Sequence, residues 1–185
     1  MTPTRRAPLL LAALIASVGC AEPLTQAILV VDTDVPLASP NPDITVEPNQ
    51  LREISISLYG PCPDDGSDCP AIFEDSVQQY NLPGSVELPF SIGLLLEPDG
   101  DEGPYIVDVV ATLGPRTDES TISVEAEFEF IHGETHAVPL YLVGACVNHD
   151  CADGASCGTA GTCEDTVRTG DGFPLWTDNL DDFSL

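Results

Sequence analysis

The sequence predicts an all-β protein: an antiparallel two-sheet sandwich of about seven strands, then a small disulfide-rich segment and a disordered acidic tail. Three observations predict it. Apolar residues recur with a period of two along most of the chain, the pattern of strands with one buried and one solvated face. The stretches between them carry turn chemistry, as in Pro40-Asn41-Pro42-Asp43, Pro98-Asp99-Gly100, Gly114-Pro115 and His132-Gly133-Glu134. No segment offers the long 3.6-residue apolar stripe of an amphipathic helix.

Each element follows from its residues. Gln26–Asp32 is a short apolar run and the first strand. Leu51–Tyr59 alternates, with Ile54, Ile56 and Leu58 inward and Ser55 and Ser57 outward. Ile72–Tyr80 is the weakest candidate, a seventh strand or a short helical turn. Val86–Leu94 points Val86, Leu88, Phe90, Ile92 and Leu94 to one side, and Tyr105–Leu113 does so with Tyr105, Val107, Val109, Ala111 and Leu113. Residues 121–130 (TISVEAEFEF) set Ile122, Val124, Ala126, Phe128 and Phe130 against a solvated ladder of Glu125, Glu127 and Glu129. His136–Val143 is the last strand. The region from about 26 to 145 resembles the immunoglobulin-like (Ig-like) or fibronectin-type sandwiches of bacterial surface proteins. The resemblance is architectural: the Cys–Trp–Cys core signature of antibody domains is absent, since the single tryptophan, Trp176, lies in the tail.

Arg5 and Arg6, the apolar stretch Ala7–Val18 and the small residue Gly19 lead into Cys20. A dozen apolar residues suit a signal-peptide core and fall short of the roughly 18 that a spanning helix needs. The segment resembles the signal peptide and lipobox of bacterial lipoproteins, with Ser17 where that family usually has leucine. The resemblance implies cleavage after residue 19, a diacylglycerol thioether and an added acyl chain on Cys20, and anchoring in the cell envelope. Ala21 in place of aspartate favours the outer membrane. Residues 20–25 then form a lipidated tether of at most about 18 Å, at roughly 3.3–3.6 Å per residue. Cysteine parity agrees. Of seven cysteines, removing Cys20 leaves six, enough for three disulfides in an oxidising compartment.

Cys62 and Cys69 close one turn-rich loop, CPDDGSDC. Cys146, Cys151, Cys157 and Cys163 follow the sandwich in a segment (146–163) too short and glycine-rich for an apolar core, so disulfides must substitute for one. Their spacing resembles half of an epidermal-growth-factor-like module or the short cysteine-rich tails of bacterial lipoproteins. Cys146–Cys157 with Cys151–Cys163 is favoured, although four cysteines allow three pairings and the sequence does not choose among them. Residues 164–185 are acidic, with a late apolar cluster of Phe173, Leu175, Trp176, Leu180 and Phe183. They have no period, and the expectation is a disordered terminus, with docking to a partner as the alternative.

The part from Cys20 onward holds all 31 acidic residues against Arg52, Arg116 and Arg168, a formal charge of 3 − 31 = −28, with no lysine at all. Such a surface repels nucleic acid and anionic headgroups. It suits divalent cations, and two acidic turns are candidate calcium sites: Asp64, Asp65 and Asp68 in one, Asp99 and Asp101 in the other. Neither completes an EF-hand loop. His132-Gly133-Glu134-Thr135-His136 departs from the zinc-protease motif by one place, and on a strand its histidines stand about 13 Å apart. His149 is a zinc ligand only if the neighbouring cysteines stay reduced, and export favours disulfides. No serine lies in a Gly-x-Ser-x-Gly elbow. The expectation is therefore a lipid-anchored extracytoplasmic binding or structural module, not an enzyme, whose protein or glycan partner the sequence leaves unnamed. The alternative is a calcium-dependent adhesin or carbohydrate-binding module.

Overall fold

A computed structural model describes residues 24–41, 43–63, 68–72, 77–82, 84, 86–97, 99–152, 154–166 and 172–185. Seven strands form two facing sheets. They are β1 (Gln26–Thr33), β2 (Leu51–Tyr59), β3 (Gln78–Asn81), β4 (Phe90–Leu95), β5 (Tyr105–Leu113), β6 (Ser120–Phe128) and β7 (Thr135–Leu142). One sheet has the order β3-β2-β5-β6 and is antiparallel throughout; the other has the order β4-β1-β7. The second sheet is mixed: β1 runs antiparallel to β4 but parallel to β7, from Gln26 opposite Thr135 to Thr33 opposite Leu142. The predicted antiparallel two-sheet sandwich is what forms, with β1–β7 as its one parallel pairing among the described strands. Alternation fixes which face of a strand is buried and leaves the direction of its neighbour open.

Alternation places the core as expected. In β5 every odd position from Tyr105 to Leu113 is buried, and in β6 Ile122, Val124, Ala126 and Phe128 are buried facing it. Leu29 and Val31 of β1, Ile54 and Ile56 of β2 and Leu140 and Leu142 of β7 fill the space between the sheets. Each fully buried aliphatic or aromatic side chain is worth about 1.5–3 kcal/mol. The aromatic corner is Tyr105, Phe128 and Phe130, with ring centroids 5.1–5.8 Å apart.

Two elements differ from the sequence reading. The strand expected from Val86 begins at Phe90, because Pro89 has no N–H to give to a ladder. Val86 and Leu88 still pack on the core as irregular chain. The weak seventh strand is Gln78–Asn81, at the edge beside β2, while Ile72 donates its N–H to the Leu58 carbonyl farther along.

The chain after residue 143 closes one side of the sandwich. A 3-10 turn at Gly144–Cys146 leads into a small hairpin of β8 (Ala155–Cys157) and β9 (Cys163–Asp165). This hairpin seals the free edge of β6. Thr121 N–H donates to Asn148 Oδ1, Glu125 N–H to Ser156 Oγ and Glu127 N–H to the Thr166 carbonyl. An unpaired edge is a template for aggregation, so covering it has a physical purpose.

The tail corrects the expectation of a disordered terminus for its described parts, 164–166, which complete β9 and reach β6, and 172–185. Ala137 N–H donates to the Pro174 carbonyl and Trp176 N–H to the Thr135 carbonyl, which places the tail along the free edge of β7. A second 3-10 turn, Leu180–Phe183, folds over the outer face of the three-stranded sheet. There Phe183 and the partly buried Trp176 and Leu180 cover Ile28, Val30 and Ala137. Of the apolar cluster found in the sequence, Trp176, Leu180 and Phe183 thus patch the chain's own sheet, Phe173 joins the main core and Leu175 stays exposed.

Candidate functional site

With β6 and β7 covered by later chain, the sandwich opens between β4 and the β2–β5 end of the other sheet. A cleft of about 640 Å³ lies there, within the range of about 300–1,000 Å³ typical of ligand pockets. Its apolar floor comes from alternating inward positions: Leu58 at the end of β2, Ile92 and Leu94 on β4, Tyr105 at the start of β5, and Leu96 and Phe130 just beyond their strands. Leu58, Tyr105 and Phe130 are buried there, whereas Ile92, Leu94 and Leu96 are half-buried. Leu95 on the opposite face of β4 and Ile72 at the rim are exposed.

Polar groups hold the cleft's walls. The Tyr105 hydroxyl donates to the Asp101 carbonyl at 2.8 Å, and the Asp101 carboxylate accepts from Gly103 N–H. Burial, with a smaller contribution from the nearby Asp101 charge, raises the Tyr105 phenol above its ordinary 10.0, so it stays a neutral donor at physiological pH. Gly60 is required beside it. Its φ is +135°, and a Cβ there would stand 2.6 Å from the Tyr105 ring and 3.1 Å from the Pro104 carbonyl. The charged lining residues are Glu97 and Asp101, with no cation among them.

The cleft sits at the end of the sandwich where the chain enters. Leu96 N–H donates to the Thr25 carbonyl at 3.1 Å, and Gln26 pairs with Leu95. The cleft wall is therefore five residues from Cys20, which itself lies outside the described residues.

The remaining candidates separate as follows. The bridges are Cys62–Cys69, Cys146–Cys157 and Cys151–Cys163, the expected loop closure and the favoured tail pairing. Asp64 and Asp65 lie outside the described residues. Asp68, Asp99 and Asp101 do not converge; among the described residues the group of three metal-ligating side chains within 4.8 Å of one another is His149, Cys151 and Cys163. His132 is exposed in its turn, whereas His136 is buried. The His136 ring lies between Glu134 Oε2 at 2.8 Å and the Phe173 carbonyl at 3.2 Å, holding the start of the tail. The cleft itself was missed in the sequence. Its signal was the apolar continuation Leu94-Leu95-Leu96, where alternation gives way to a run that one sheet face cannot bury.

Compared with known protein families, curated proteins and solved structures, the chain has no significant match. Among the described residues no helix is long and apolar enough to cross a membrane.

Proposed function

We propose that this chain is a lipoprotein of the bacterial cell envelope, anchored in the outer membrane through lipid on Cys20, and that it acts as a non-catalytic binding module. The observation that carries the reading is the apolar cleft beside Thr25. A tether of about 18 Å keeps that end of the sandwich at the bilayer surface, and more than one acyl chain on the cysteine gives stable anchoring. A cleft opening toward a bilayer and floored by Leu58, Ile92, Leu94, Tyr105 and Phe130 suits one acyl chain of a membrane lipid. Glu97 and Asp101 at its mouth select against an anionic headgroup and for an uncharged one. The formal charge of −28 from Cys20 onward likewise argues against nucleic acid as a partner.

The test is titration with a fluorescent fatty alcohol and the matching fatty acid, using the chain from Ala21 onward so that no attached lipid competes. Saturable binding of the alcohol, weakened at least tenfold in Leu96→Asn and weaker for the acid, supports the reading. Equal affinity in the variant, or no saturable binding, refutes the cleft as the site.

A further inference from the structure

Cys151–Cys163 and Cys146–Cys157 staple the same segment but stand in different surroundings. Cys146 and Cys157 are 0% and 4% exposed and belong to the sandwich core. Cys163 is exposed, Cys151 is half-buried, and exposed His149 places Nε2 3.4 Å from Cys163 Sγ. His149 and Cys151 also line a crevice of about 240 Å³ with Ser123, Glu125 and Ala152, which opens a path to the Cys151 side of the bridge.

We propose that Cys151–Cys163 is an exchangeable disulfide, opened by an external dithiol that attacks Cys151 while His149 stabilises the departing Cys163 thiolate. A thiolate of the dithiol bonds to Cys151 Sγ. The Cys151–Cys163 bond breaks, and its electron pair leaves on Cys163 Sγ, which accepts a hydrogen bond from His149 Nε2–H and is then protonated from solvent. The second thiol of the dithiol loses its proton to solvent and attacks the mixed disulfide, releasing Cys151 as a thiolate that is then protonated. The bridge is reduced to two thiols and the dithiol is oxidised to a disulfide. A hydrogen-bond donor beside a sulfur stabilises its thiolate, and a better leaving thiolate departs faster. Cys157 lines the same crevice, but Cys146 and Cys157 are 0% and 4% exposed whereas Cys163 is exposed, so Cys146–Cys157 is the less accessible bridge and keeps both ends of the segment in place. The acidic side chains around the site are Glu125 and Asp150 in the crevice and Glu164 and Asp165 on β9. They oppose thiolates in general, which confines the stabilisation to the sulfur that His149 touches.

The experiment is timed reduction of the chain from Ala21 onward with a small dithiol, followed by alkylation and peptide mass mapping. Cys62–Cys69 serves as the internal reference. Cys151–Cys163 is expected to open before Cys146–Cys157, and His149→Ala to slow it by about tenfold relative to Cys62–Cys69. If His149 merely braced the segment, its loss would loosen the bridge and speed reduction, the opposite sign. Glutathione, which has no second thiol, is expected to be trapped on Cys151 in the wild type and on both sulfurs in His149→Ala. A rate unchanged or increased in His149→Ala, or wild-type glutathione found mainly on Cys163, overturns the proposal.

Discussion

Phe183→Ala is the perturbation that most sharply tests how the tail is held. Phe183 is 4% exposed, lies over Ile28, Val30 and Ala137, and stacks on Trp176 at 5.2 Å with an interplanar angle of 11°. Truncating a buried phenylalanine costs about 3–5 kcal/mol, and loss of an aromatic pair adds about 0.5–1.5 kcal/mol. The strap can open without unfolding the sandwich, so the cost to global stability is capped by the free energy that docks the strap. We place it at the low end, about 3 kcal/mol. For a chain of this size, where 1 kcal/mol moves the melting temperature by about 2–4 °C, that is a fall of roughly 6–12 °C. Trp176 is the sole tryptophan, so its fluorescence reads the strap directly. Its emission should shift to the red, and the Ala137 and Trp176 amides, bonded to Pro174 and Thr135 in the native state, should lose protection from hydrogen exchange. Unchanged emission with a melting temperature within 1 °C of wild type would refute the docked strap.

Gly60→Ala should destabilise by about 1–3 kcal/mol in a chemical melt, because alanine at φ +135° is strained and its methyl meets the Tyr105 ring; a change below 0.5 kcal/mol would contradict the packing described at the cleft wall. Asp108 is raised above its ordinary 3.8 by burial, a rise its bond from the Ser123 hydroxyl only partly offsets. Its charged form is therefore disfavoured by folding, an unfavourable contribution present above the folded-state value and relieved as pH falls below 3.8. Asp108→Asn should accordingly raise the melting temperature at pH 7, with the difference shrinking toward pH 3; a variant less stable than wild type at pH 7 would reverse that sign.

Much of the sandwich was legible because its strands are half-buried. Period-two alternation in Tyr105–Leu113 and in 121–130 fixes strand, face and core together. The run Ala27–Val31 was legible as a strand, but its lack of alternation carried a second message: both its faces are buried, and something must cover the outer one. The cover, Trp176, Leu180 and Phe183, was visible as part of an apolar cluster about 150 residues away, and no local pattern links the two. A separation of 109 residues, from Gln26 to Thr135, likewise hid the parallel pairing of β1 with β7. The cleft was illegible for a different reason. It is lined from the ends of β2 and β4, the start of β5 and Phe130 beyond β6, a convergence that the run Leu94-Leu95-Leu96 alone does not encode. The proximity of His149 to Cys163 depends on which cysteines pair, which spacing alone leaves open.

The central claim is the lipid on Cys20, because it sets both the compartment and the distance between the cleft and the bilayer. It is tested most directly by incorporation of labelled palmitate into the full chain expressed in a bacterium with two membranes, comparing wild type with Cys20→Ala. The account predicts label in wild type, recovery of that protein with outer membranes, and no label in the variant. Equal labelling of the two, or an unlabelled wild type found free of membranes, would contradict it.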